Sequence, residues 1–314
     1  MTNTSADAPV LRYTDNTRAR PLPNALRAAR VELLAAIELL RTIPDARLTD
    51  PWDWKGGSEE EVRYGFYRIA ESFELAAIDA AAAIGSKGTE WGPAAERIAP
   101  ATAARWDLQG LLLPLVDATW DADPGGGEWT IRQTLGHVIA GQRGYAATGG
   151  WWQERAYRAD DPALPGHAPE SIFDELPTEE AEAEGTPAEI RKRLDAALDV
   201  ATERLAGLPA DRLEFGARWS GFAVDVGFRM GRWSSHFREH TIQVEKTLVM
   251  LGHQSTENDR LVRHVLAAWG RAEAVVYGAI EADGAVRLLA DATAGARATA
   301  AELSQIGRGQ AGSM

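Results

Sequence analysis

Six histidines carry the metal-binding potential of this chain, which contains no cysteine. They are His137, His167, His236, His240, His253 and His264. A disulfide framework, a thiolate metal site and a cysteine nucleophile are therefore excluded, and any metal must sit on imidazole or carboxylate. His236 and His240 stand four apart in His236-Phe237-Arg238-Glu239-His240. On a helix that spacing puts both imidazoles on one face, one turn apart, where they can share one cation. Random placement of six histidines in this length gives about 0.1 such pairs, so the spacing is informative. His137, flanked by Leu135, Val138 and Ile139, lies in a second amphipathic segment and faces at least partly inward. Three neutral imidazoles would bind a zinc-type ion and leave a position open for water or substrate. That is the mark of a catalytic rather than a structural site. The plainer alternatives are a boundary histidine at 137 and a solvated pair at 236 and 240. His167 in a proline-rich loop, His253 past a helix end and His264 on a helix surface read as ordinary.

Neighbours on the same helix rows extend the candidate site. Arg229, Trp233, His236, His240, Gln243 and Thr247 follow an i, i+3, i+4 row. Arg229 and Trp233 thus precede the histidines by two turns and one turn, placed to hold an anionic or planar substrate group. Their alternatives are a surface charge and a bundle-core ring. Gln133, one turn before His137, either reaches a ligand or closes a capping box, and Gln243 is a candidate substrate contact. Gly141 leaves room for a ligand or marks a close helix contact. Gln142 should point away into solvent, and Tyr145, two turns beyond His137, is a candidate proton donor. The pentapeptide also fits histidine-x-x-glutamate-histidine, the inverted zinc-peptidase pattern, with Glu239 as general base. That class needs a downstream glutamate ligand and a mixed α/β fold, and few strand signals follow His240. Glu239 otherwise orients a metal ligand or faces solvent.

The elements that must position these residues read as helices. Residues 1–23 are polar and proline-bearing, an expected flexible arm. Leu26, Ala29, Leu33, Ile37 and Leu40 form an apolar stripe that Pro44 stops. Ser58 and Glu61 match a capping box, predicting a helix from 58 to about 84 before Gly85 and Gly88 break it. A third helix is expected over 101–119, kinked at Pro114. Thr130 and Gln133 form a second box, opening the His137 helix to about 147. Residues 148–185, with an acidic cluster at 175–184, read as a long crossover loop. Thr186-Pro187-Ala188-Glu189 starts the next helix. The histidine-pair helix should span 224–251 and end at Gly252, followed by helices over 257–281 and 286–306. Period-two alternation and asparagine-glycine turns are missing, so the expected class is all-α. The divisions expected are a 1–23 arm, a 24–100 helix pair packing on the bundle, a 101–252 metal-bearing bundle, a 253–307 helix pair and a 308–314 tail.

Composition narrows the partners. The 314 residues are 45% hydrophobic and 25% charged, as in soluble globular chains. A net charge of −13 repels phosphate, so nucleic acid and anionic membrane surfaces are excluded as partners. The polar N-terminus has no signal-peptide core, and no apolar run reaches the roughly 18 residues of a membrane helix. A cytoplasmic protein acting on a small molecule is expected, with a homodimer left open.

The Trp129-Thr130-Ile131-Arg132-Gln133-Thr134-Leu135-Gly136-His137 segment resembles the tryptophan-led helix that carries the first metal histidine in the DinB/YfiT-like superfamily. His236-Phe237-Arg238-Glu239-His240-Thr241-Ile242-Gln243 is similar to that superfamily's second motif, in matching order, over residues 101–252. The resemblance implies a four-helix bundle in up-down-down-up topology, with His137, His236 and His240 holding one divalent ion. Zinc, nickel and iron occur in such sites. It also implies a transferase or isomerase that uses mycothiol, bacillithiol or glutathione as cosubstrate. In the more distantly similar mycothiol-dependent maleylpyruvate isomerases a glutamate replaces one histidine of the second motif, whereas both are histidine here. Two other classes stand beside this one. One is a metal-dependent hydrolase or lyase, the other a non-catalytic, stress-associated helical protein.

Overall fold

In the computed structural model, which describes residues 20–86, 92–279 and 282–308, the chain is helical apart from two small antiparallel hairpins. The elements run α1 (Asn24–Arg41), β1 (Pro51–Trp54), β2 (Ser58–Glu61), α2 (Val62–Ser86), α3 (Pro93–Leu112) and α4 (Asp117–Asp121). Then come α5 (Ile131–Gln153), α6 (Glu179–Ala183), α7 (Pro187–Leu205) and α8 (Ala210–Leu213). The hairpin β3 (Gly216–Trp219) and β4 (Phe222–Asp225) leads into α9 (Val226–Met250), α10 (Glu257–Val276) and α11 (Asp283–Arg308). The all-α class holds. Most of the expected N-terminal arm, Gly88, the end of the helix drawn to 281 and nearly all of the tail lie outside the described residues.

The described residues form two compact units. One comprises 20–21, 92–101 and 120–247, and therefore α5 to α8, the β3–β4 hairpin and α9 up to residue 247. The other comprises 22–86, 102–119, 248–279 and 282–308. In the second unit α1 packs on α11, and α2 packs on both α10 and α11. The predicted α1 stripe is its core: Leu26, Leu33, Ile37 and Leu40 are wholly buried.

Several boundaries differ from expectation for identifiable reasons. Ser58 does not cap a helix. Ser58–Glu61 pairs with Pro51–Trp54 instead, and the first amides of α2 donate to the Asp50 and Leu48 carbonyls. Pro114 lies beyond the end of α3 and kinks nothing, while Pro93 opens that helix and Pro100 is accommodated inside it. The second hairpin turns on Ser220 (φ 46°) and Gly221 (φ 85°), a Ser-Gly pair doing what asparagine-glycine does in two-residue turns.

In the first unit both helix-start predictions stand. Thr130 and Gln133 form a reciprocal capping box on α5, and Thr186 and Glu189 form one on α7. Asp225 accepts the Phe228 amide at 2.6 Å and so caps α9. The crossover is not structureless, because α5 runs on to Gln153 and α6 forms within the acidic cluster. Glu182 of α6 is buried and paired with Arg143 of α5 and Arg193 of α7. Gly136 lets α6 lie on α5, since a Cβ there would stand 2.9 Å from Ala183 Cβ and clash with the Glu179 carbonyl.

Candidate metal centre

His137 projects from α5 and His236 and His240 from α9, so two helices supply the three imidazoles. Their Nε2 atoms converge. His236 Nε2 is 3.4 Å from His137 Nε2 and 3.1 Å from His240 Nε2. All three donor atoms lie within 4.8 Å of one another, and they are the group of this kind found among the described residues. Two imidazole nitrogens bound to one tetrahedral ion at about 2.0–2.1 Å stand about 3.3 Å apart, so the donor set fits a divalent transition metal.

Two of the three outer nitrogens are anchored on oxygen acceptors. His137 Nδ1 meets Glu179 Oε1 of α6 at 2.8 Å, and His240 Nδ1 meets Gln243 Oε1 at 2.7 Å. Each oxygen accepts from an Nδ1–H, the tautomer that leaves Nε2 with its lone pair toward the common point. His236 Nδ1 faces the buried Gln142 amide nitrogen at 3.4 Å, and that nitrogen also donates to the Trp233 carbonyl at 3.3 Å. Gln142 is therefore not solvated as expected. Gly141 explains why: a Cβ there would come within 2.8 Å of His236 Cε1, so the ring occupies the space a side chain would fill. With His236 seated against α5, the residue beside that glycine is enclosed.

Burial pushes the His236 imidazole down to about 3, helped by His240, His137 and Arg232 nearby. Burial also lowers His240, against the hydrogen bond it donates to Gln243. Both stay neutral at pH 7, as ligation requires. The sign of the consequence is fixed. Unfolded chains bind a proton near pH 6.5 that folded, metal-free His236 refuses until about pH 3. Metal-free protein should therefore lose up to about 1.4 kcal/mol of stability per pH unit for this histidine as pH falls between those values. Urea midpoints at stepped pH, in wild type and His236→Asn, measure the difference in slope. Identical slopes would refute it.

The other candidates occupy distinct places. Tyr145 lies with its ring 5.1 Å from His236 and 5.4 Å from Trp219 of β3, and burial raises its phenol pKa. Arg229 lines a cleft of about 530 Å³ with Gly141, Gly144, Tyr145, Phe173 and Glu179. Gln243 reaches His240 and Gln133 closes its capping box, which ties each to a protein partner. Trp233 is core, 1% exposed. Glu239 is exposed and paired with Arg232 at 3.0 Å, with no hydrogen bond to any of the three histidines. That pairing and the all-α fold remove the inverted-peptidase reading. Glu179, which sequence reasoning passed over inside an acidic run, divides this cleft from a second of about 600 Å³ beside Trp129, whose ring is 5.2 Å from that of His137.

No curated protein and no solved structure matches the chain. The sequence profile of the DinB superfamily matches residues 101–244, which contain α5, the crossover, α7 and all three histidines of α5 and α9. A tryptophan-led histidine helix, followed across a crossover by a histidine-x-x-x-histidine helix whose rings meet the first, is what that segment builds, and over these residues the chain is similar to the DinB superfamily.

Proposed function

We propose that the protein is a metal-dependent transferase, or isomerase, that uses a small thiol on an electrophilic small molecule. The observation that carries this reading is the convergence of three imidazole Nε2 atoms beside an open cleft, in a chain without cysteine. His137, His236 and His240 would hold one divalent ion, zinc foremost, with nickel or iron as the other candidates. Such an ion supplies Lewis acidity, which lowers the pKa of a thiol toward neutrality. The sulfur itself must come from a cosubstrate, for which the similarity to thiol-using DinB proteins favours mycothiol or bacillithiol over glutathione.

The chain's own groups supply orientation and a proton. Glu179 and Gln243 hold the His137 and His240 rings by their Nδ1–H groups. Tyr145 keeps its proton at neutral pH, and its hydroxyl makes no hydrogen bond among the described residues. It is thus free to donate to a substrate oxygen as charge develops there. Phe173, Leu176 and Pro177 line the cleft together with the bare backbone of Gly141 and Gly144 and give it an apolar wall. Among the described residues no helix is long and apolar enough to cross a membrane. A small-thiol cosubstrate favours the cytoplasm, where such thiols stay reduced.

Cobalt-substituted protein titrated with mycothiol, bacillithiol and glutathione is the test. At least one should produce a sulfur-to-cobalt charge-transfer band that His137→Ala abolishes. If none perturbs the spectrum while an ester, amide or halide is turned over without thiol, the hydrolase reading replaces this one. If nothing is turned over and metal is dispensable, the helical protein is non-catalytic.

A further inference from the structure

Arg229 is the basic side chain of the cleft beside the histidines, and its hydrogen bonds go to neutral oxygens. Nη1 donates to the Arg218 carbonyl and Nη2 to Thr148 Oγ1 at 2.6 Å. The guanidinium also lies 5.2 Å from the centre of the Trp219 ring. A guanidinium has five N–H groups, so these bonds leave terminal N–H groups unspent, and Nε–H is buried without an acceptor. Other arginines of this unit are neutralised: Arg132 by Asp121, Arg143 and Arg193 by Glu182, and Arg232 by Glu239.

A cation drawn partly out of water without a counter-charge is costly, and burial lowers the Arg229 pKa with no carboxylate offsetting it. Holding two neutral oxygens does not require a charge. An anionic ligand in the cleft supplies what the protein withholds. The acids that line the cleft are otherwise engaged, Glu179 at His137 Nδ1 and Glu180 at its own amide and Thr178.

Position fixes the rest of the ligand. Arg229 precedes His236 by seven residues on α9, hence on the same face and about 10 Å away along the axis. Tyr145 bridges the interval, against His236 on one side and Trp219 on the other. We propose that the cleft takes a molecule whose carboxylate docks on Arg229, whose apolar body lies along Tyr145, and whose reacting atom reaches the three Nε2 atoms. This deepens the thiol-transfer reading and rests on it only for the reacting atom. The carboxylate has two sources, the electrophile or the thiol, since glutathione and bacillithiol carry carboxylates and mycothiol has none.

Calorimetric titration of the full-length protein with hydrocinnamate and its neutral amide, hydrocinnamamide, tests the docking. A chelator is present so that the acid cannot bind a metal, and no turnover is read, so failure of the thiol reading would not affect the result. Wild type should bind the acid at least about tenfold more tightly than the amide, as a charge-assisted pair provides. Arg229→Gln should abolish the preference and Arg229→Lys should retain part of it. Should Arg229→Gln fail to fold by circular dichroism, the acid-to-amide ratio in wild type and Arg229→Lys still decides. Equal affinity in wild type, no acid binding at about 10 mM, or an undiminished preference in Arg229→Gln overturns the proposal. Competition then assigns the source. Displacement of hydrocinnamate by glutathione in wild type but not by mycothiol puts the carboxylate on the thiol, and displacement by neither puts it on the electrophile.

Discussion

Protein purified without an affinity tag should carry about one divalent ion per chain, and the His236→Ala, His240→Ala double variant should carry none. The substitutions remove two of three nitrogens that converge within 4.8 Å of one another. The carboxylate that touches the cluster, Glu179, is held at the far nitrogen of His137, so it cannot take their place without abandoning that ring. One imidazole alone does not retain a metal through purification, so the loss should be complete rather than graded. Undiminished metal in the double variant would put the ion elsewhere and remove the proposed chemistry with it. The variant should remain helical, because α5 and α9 bury apolar rows of their own, including Leu135, Val138, Ile139, Met230, Phe237 and Val244. A metal-free protein that unfolds would instead make the ion structural.

Local signals made much of this site legible, and the rest depended on partners that spacing cannot name. The i, i+4 pair fixed His236 and His240 to one face, and the Thr130–Gln133 capping box and the Thr186-Pro187-Ala188-Glu189 start marked the true beginnings of α5 and α7. The same serine-x-x-glutamate pattern misled at Ser58, because strand pairing with residues 51–54 competed for that backbone and prevailed. The helical angle between His137 and Gln142 does not reveal the burial of Gln142. What decides its burial is the ring from α9 that the adjacent glycine admits. Glu179 had no sequence signature at all, being one carboxylate among many in an acidic run. Only the seating of α6 on Gly136 brings it to His137.

Glu273→Gln should lower stability by about 3–5 kcal/mol, a large effect for a near-isosteric change. On α10 the residues Val262, Leu266, Trp269, Glu273 and Val276 form one buried row, so a carboxylate stands where the pattern calls for an apolar side chain. It is fully buried and fully engaged. Oε1 accepts from Arg30 Nε, while Oε2 accepts from Arg105 Nη2 at 2.6 Å and from Trp106 Nε1. The Arg105 and Glu273 side chains are both 0% exposed, and Arg30 is 11% exposed. Glutamine keeps the shape but replaces one oxygen by an NH₂ donor. Either way round, that donor meets a guanidinium or an indole N–H, and the arginine charge stays buried without its carboxylate. Urea unfolding of wild type and variant measures the difference, and a loss under about 1 kcal/mol would mean that water already reaches the cluster. A Glu273→Leu, Arg105→Met double variant sharpens the comparison, because removing both charges removes the desolvation penalty along with the attraction. It should be less destabilised than Glu273→Gln. The reverse order would show that the carboxylate serves chiefly as an acceptor for Arg30 and Trp106, and not as the counter-charge of Arg105.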